Sequence, residues 1–134
     1  MANTGDSYIV TLRPSHLDWG EYRNTFSRDS IQGEAYIPIP SSSAKDLYLI
    51  NNNGTDKRDV LGKNLFRYTT ADGSFRGVLR AQGSSKRGSI YAKQFSADKN
   101  LKEIGEWFDF IGATVGTRIK VEWTSPYDII LSVC

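Results

Sequence analysis

Apolar and polar residues alternate with a period of two in several short stretches of this chain, the spacing that lines one face of a β-strand. Ser7 to Leu12 (SYIVTL) is the first, rich in β-branched residues and ended by Arg13-Pro14. Glu34 to Ile39 is extended, and Pro38, which has no N–H, marks it as an edge or irregular strand. Asn64 to Thr69 (NLFRYT) leads through the turn residues Ala71-Asp72-Gly73 into Arg76 to Ala81. Ser89 to Phe95, Arg118 to Trp123 (RIKVEW) and Asp128 to Val133 (DIILSV) complete a set of strands.

Helical spacing occurs twice. Pro40 and the serines 41–43 precede Ala44, Leu47 and Tyr48, so a short helix is expected with a serine as N-cap, stopped by Asn51 to Gly54. The second helix, LKEIGEWFDFIG, follows Asn100, with Glu103 three residues on, close to a capping box. Leu101, Ile104, Phe108 and Ile111 share one face beside Trp107, a packing stripe, and Gly105 lets the helix sit close to a sheet. No βαβ spacing and no long-period repeat appears. The expectation is a mainly β fold: a seven-stranded open pseudobarrel, mostly antiparallel, with two short α-helices at its open ends.

Two stretches break the pattern. From Arg13 to Ile31 a long connection sets Trp19, Tyr22 and Phe26 among Arg13, His16, Arg23, Asn24 and Arg28. The aromatics there suit the core as well as a ligand, whereas Arg23 and Asn24 are the better binding candidates. Between the strands ending at Ala81 and beginning at Ser89, the loop Gln82 to Gly88 carries Gln82, Ser84, Ser85, Lys86 and Arg87. With Arg76, Arg80 and Lys93, this window holds five cations and no acidic residue. Lys and Arg neutralise phosphates, and Arg or Gln pairs in bidentate fashion with base edges in the major groove. Its glycines allow close backbone approach to a surface. A solvated hairpin with a basic tip is the plain alternative. Asn51 to Lys63, with its mixed charges, reads as a solvated loop.

Length and composition narrow the choice. The 134 residues make one expected domain, 1–134, long enough to bury a core. The lone cysteine, Cys134, forms no internal disulfide, MANTGDS has no signal-peptide pattern, and no stretch is long enough to cross a bilayer. A cytoplasmic protein without a membrane partner is expected. Net charge is only +2, so a polyanion site must come from local clustering. His16 is the single histidine, which leaves no His/Cys metal cluster, no nucleophile elbow accompanies it, and no phosphate-cradling glycine loop precedes a helix. No catalytic set, metal or cofactor is expected.

The order of pieces, with Gly33-Glu34-Ala35-Tyr36-Ile37-Pro38-Ile39-Pro40 before a helix containing Ala44, a strand pair joined by a basic loop, and a helix with Gly105 and Trp107 before a final hairpin, resembles the DNA-binding pseudobarrel called the B-three domain. That family includes plant transcription-factor domains and the effector, or target-recognition, domains of bacterial restriction endonucleases. The wording here is closer to the bacterial branch. The resemblance spans about Ser7 to Val133 and implies two arms that grip the major groove of double-stranded DNA. The first would fall in Arg13 to Arg28, with Arg23 and Asn24 on bases or phosphates and Trp19 and Tyr22 supporting or stacking. The second would be Gln82 to Lys93, where Gln82, Ser84, Ser85, Lys86 and Arg87 meet DNA and Lys93 backs them on phosphate. A nuclease domain or subunit is the implied partner. Other readings are a single-strand or RNA binder stacking bases on Trp19 and Tyr22, and a carbohydrate- or peptide-binding barrel or small enzyme using Asp18, Glu21 and His16.

Overall fold

The computed structural model describes residues 2–13, 35–83, 90–98, 100 and 102–134. Seven strands form one mixed sheet: β1 (Ser7–Thr11), β2 (Ile37–Pro38), β3 (Leu65–Thr70), β4 (Arg76–Gln82), β5 (Gln94–Ala97), β6 (Arg118–Ser125) and β7 (Asp128–Val133). Two short helices, α1 (Ser41–Asp46) and α2 (Glu103–Phe110), and a 3-10 turn at Asn52–Thr55 accompany them. The strand order is β1-β6-β7-β3-β4-β5-β2, and all neighbours are antiparallel except β3 with β7. The sheet curls until its edges β1 and β2 face each other. The chain is thus the expected mainly β, seven-stranded open pseudobarrel. Among the described residues no helix is long and apolar enough to cross a membrane.

The alternation read in the sequence is the inside and outside of this barrel. Tyr8 and Val10 of β1 point inward opposite Val121 and Ile119 of β6, while Ser7, Ile9 and Thr11 face out. Phe66 and Tyr68 of β3, Leu79 and Ala81 of β4, Phe95 of β5, Ile37 of β2, and Ile129 and Leu131 of β7 fill the same interior. At its centre Trp123 meets Phe66 edge-on at 5.7 Å, Phe95 at 6.4 Å and Tyr8 at 6.2 Å between ring centroids. Phe66 also meets Phe95 edge-on at 5.9 Å. These tilted and edge-to-face arrangements are the favoured aromatic geometries.

Three boundaries differ from expectation, each through a contact between distant parts of the chain. β2 is only two residues long, an edge strand at Pro38, as its missing N–H requires. β5 begins at Gln94 instead of Ser89, because Tyr91 leaves β4 to bridge Ile50 and the Ala92 N–H donates to the Leu49 carbonyl. The segment 51–63 is not simply solvated. Its charged side chains are exposed, yet Asn51 and Thr55 are buried, and the buried Asn64 beyond them accepts from the Val60 N–H at 2.6 Å and donates to the Arg58 carbonyl.

The helix ends also differ. Pro40, extended at φ −58° and ψ 141°, is the N-cap of α1, and its carbonyl accepts the Ala44 N–H while the serines occupy the first turn without a side-chain cap. At α2 the N-cap is Lys102, and Asn100 Oδ1 accepts the Lys102 N–H just ahead of the helix. Glu103 does not close a capping box. It accepts a short hydrogen bond from the Tyr68 hydroxyl, in a slot left open by Gly77, where a Cβ would stand 2.8 Å from Glu103 Oε1. Burial, and then that bond, push the Tyr68 hydroxyl pKa far up, so the phenol remains the donor. Of the expected packing stripe, Ile104, Trp107 and Phe108 are buried with Gly105, Ile111 is partly buried, and Leu101 lies outside the described residues.

Both helices end in the same hydrogen-bonded turn. In α2 the Gly112 N–H donates to Asp109 and the Ala113 N–H to Phe108, with Gly112 left-handed at φ +67°. In α1 the Tyr48 N–H donates to Lys45 and the Leu49 N–H to Ala44, with Tyr48 in the left-handed place at φ +52°. Glycine is the usual occupant of that position, and a side chain there costs about 1 kcal/mol.

Charged groups latch the sheet. Arg67 holds Asp128, its partner across the parallel β3–β7 pair, with bonds of 2.7 and 3.0 Å, and with Ser125 keeps that carboxyl below its usual range. In the β3–β4 turn Asp72 accepts from the Ser74 hydroxyl, the Ser74 N–H and the Thr70 hydroxyl, which lower its pKa to about 2.

Two outcomes follow for stability. Trp123→Ala should cost about 3–5 kcal/mol in chemical denaturation, whereas Val115→Ala, at a residue 60% exposed, should stay within about 0.5 kcal/mol; equal losses would remove Trp123 from its central place. The depressed Asp72 contributes stability that is present above its ordinary pKa of 3.8 and lost as pH falls toward about 2. Asp72→Asn should therefore flatten the acid limb of a melting-temperature profile in that window, and an unchanged acid limb would contradict the role of the turn.

Candidate nucleic-acid interface

Arg13 is the last described residue before position 35, and Gln82 and Gly83 are the last before position 90. The fold brings these points to one side of the barrel, through a ladder from Gln82 to Ile39 and then across the open seam to Arg13. Val10, Thr11 and Arg13 face Pro38, Ile39 and Pro40 across an open groove of about 420 Å³, the seam between the two sheet edges. The Ile39 N–H donates to the Lys93 carbonyl at 2.9 Å, and the Lys93 N–H donates to the Gln82 carbonyl at 2.7 Å. With adjacent chains ~4.8 Å apart, Gln82 stands roughly 10 Å from Ile39, and Arg13 lies across the seam beyond.

Of the sequence-predicted binding residues, the structure gathers Arg13 and Lys93, both exposed, and Gln82, half-buried, at this place. Trp19, Tyr22, Arg23, Asn24, Arg28, Ser84, Ser85, Lys86 and Arg87 lie outside the described residues. The window of five cations does not hold together as one patch. Arg76 begins β4 while Gln82 ends it, so six residue steps, roughly 20 Å, separate them. Arg80 is offset by two carboxylates that the sequence places far from it or beyond the window, Asp59 at 2.9 Å and Asp98 at 2.8 Å. Its charge is spent inside the fold, tying β4 to the 51–63 segment and to the end of β5.

Sequence reasoning missed Asn51. Its backbone N–H donates to the Ile90 carbonyl at 2.7 Å, and its carbonyl accepts from Gly54. A Cβ built at Gly83 would stand 2.9 Å from Asn51 Nδ2 and 2.9 Å from the Tyr91 carbonyl oxygen. The buried Asn51 therefore sits between the two ends of the 84–89 connection, and the missing side chain of Gly83 serves this internal packing. A run of three asparagines before a glycine signals a turn; nothing in it marks one of the three for burial.

Lys93 is exposed beside the buried Ala92, and Tyr91 is partly buried against the core. Tyr48 stands edge-on to Tyr91 with ring centroids 6.2 Å apart and an interplanar angle of 88°. The exposed Tyr48, packed on Tyr91, and the exposed Lys93 thus adjoin Gln82. Among the described residues no group of three or more His, Cys, Asp or Glu side chains is arranged to hold a metal ion.

Gly83→Ala should destabilise the protein by about 1–3 kcal/mol, because the Tyr91 carbonyl belongs to the backbone and cannot swing aside. A denaturation midpoint shifted by no more than an ordinary surface change would show that this junction yields. No protein-family model matches the chain, and no curated protein is significantly similar to it.

Proposed function

We propose that this chain is a sequence-specific double-stranded DNA-binding module that places two connections, 14–34 and 84–89, in the major groove. The observation that carries the reading is the convergence of Arg13, Lys93 and Gln82, the stems of both connections, on one side of the barrel across the β1–β2 seam. Their separation, on the order of 10–15 Å, suits a major groove about 12 Å wide. The residue types divide the work. Arg13 and Lys93, with Arg23, Arg28, Lys86 and Arg87 in the connections, supply cations for phosphates; Gln82, Asn24 and the serines Ser84 and Ser85 supply side-chain donors and acceptors for base edges. Trp19 and Tyr22 support or stack in the first arm.

The seven-stranded open barrel is also the fold that the resemblance to B-three domains implies, and fold alone does not decide function. The likeness to bacterial effector domains adds a partner: a nuclease, fused or separate, that uses the recognition supplied here.

Selection from a randomised duplex library at two salt concentrations tests this. An enriched short motif, bound more weakly at higher salt, is the expected result; absence of duplex binding overturns the proposal. Lys93→Ala should then weaken binding to the selected site and to unrelated duplex alike, lowering the steepness of log affinity against log salt by about one unit. Gln82→Ala should instead cost about 1–3 kcal/mol on the selected site and little on unrelated DNA. Equal losses on both duplexes for both variants would contradict that division.

A further inference from the structure

Tyr48 occupies a position that the chain has no conformational reason to give to an aromatic. The two helices end in the same turn, and α2 uses Gly112 where α1 uses Tyr48. Glycine satisfies those hydrogen bonds without the clash between Cβ and backbone that a left-handed tyrosine incurs. The Tyr48 side chain does not recover that cost by burial in the core, since it remains 46% exposed. It rests only its edge on Tyr91, whose outward neighbour is Lys93 and whose carbonyl abuts Gly83. Strained, exposed side chains of this kind are found where the strain serves binding.

We propose that Tyr48 is a further DNA contact of this surface, donating its phenolic hydroxyl to a backbone phosphate oxygen beside the second connection. The inference rests on the DNA-binding reading above. Its chemistry fits the place. A tyrosine hydroxyl is a neutral donor that fixes a duplex on its phosphates without reading sequence, and the adjacent Lys93 ammonium draws the phosphate chain toward it. The Tyr48 ring is perpendicular to the Tyr91 ring at 6.2 Å, a contact that limits its rotation before the phosphate arrives. The contact positions DNA and leaves base choice to the two connections.

The test compares wild type, Tyr48→Gly and Tyr48→Phe for thermal melting and for binding of a labelled mixed-sequence duplex by fluorescence anisotropy at two salt concentrations. Tyr48→Gly should melt no lower than wild type, because glycine relieves the turn, yet bind the duplex more weakly by about tenfold or more, the worth of one hydrogen bond to a charged phosphate. Tyr48→Phe should show most of the same loss, and neither variant should change the salt dependence, since no cation is removed. Wild-type affinity in both variants overturns the contact and leaves the DNA reading standing. Wild-type affinity in Tyr48→Phe, together with a lower melting temperature in Tyr48→Gly, assigns the ring a packing role and also overturns it. A wild-type protein that does not bind duplex overturns the DNA reading and this inference with it.

Discussion

The barrel depends on one indole. Trp123 sits on β6, yet its ring touches Tyr8 on β1, Phe66 on β3 and Phe95 on β5. In the order of the sheet, β1 is an outermost strand and β5 is next to the other edge. A flat sheet in that order would hold β1 and β5 far apart, since each strand step adds ~4.8 Å. Only a sheet curled round the indole lets both reach it, and the hydrophobic gain from burying four large aromatics supplies the drive for that curl. Closure is completed without a β1–β2 ladder, because Pro38 has no N–H to offer and β2 is too short to need one.

That closure makes a site out of pieces far apart in sequence. Once β2 lies against β1 across the seam, Arg13 comes beside Ile39, and the ladder through Lys93 brings in Gln82. The stems are held for separable reasons: Gln82 by its place in β4, Lys93 by backbone bonds to two neighbouring segments, and Gly83 and Ile90 by Asn51 between them. None of these anchors uses a side chain from within the connections themselves.

Much of this was legible in the chain. Alternation marked the strands, because a barrel with one wet and one dry face imposes a period of two, as in β1, β6 and β7. Pro38 marked an edge through its chemistry. What could not be read was every feature made by pairing across distance. Tyr91 leaves β4 for Ile50, which shortens β5; Glu103 abandons the expected cap for Tyr68 because Gly77 leaves a slot; and Arg80 is offset by Asp59 and Asp98. The last of these matters most for the site, since the row of cations in the sequence predicts one patch of positive potential. Arg76 and Arg80 lie along β4, and Arg80 is neutralised.

The charge that remains outward at the stems is therefore small, in keeping with a net charge of only +2. A surface of that kind does not hold DNA by general attraction, because affinity from phosphates alone scales with the number of cations that release counterions. On the DNA-binding proposal, fixed stems and neutral donors such as Gln82 and Tyr48 would carry recognition in place of charge. A left-handed backbone costs about 1–3 kcal/mol at a non-glycine residue, and Tyr48 takes it at the surface beside Tyr91, as Asp56 and Lys57 take it in the 51–63 segment.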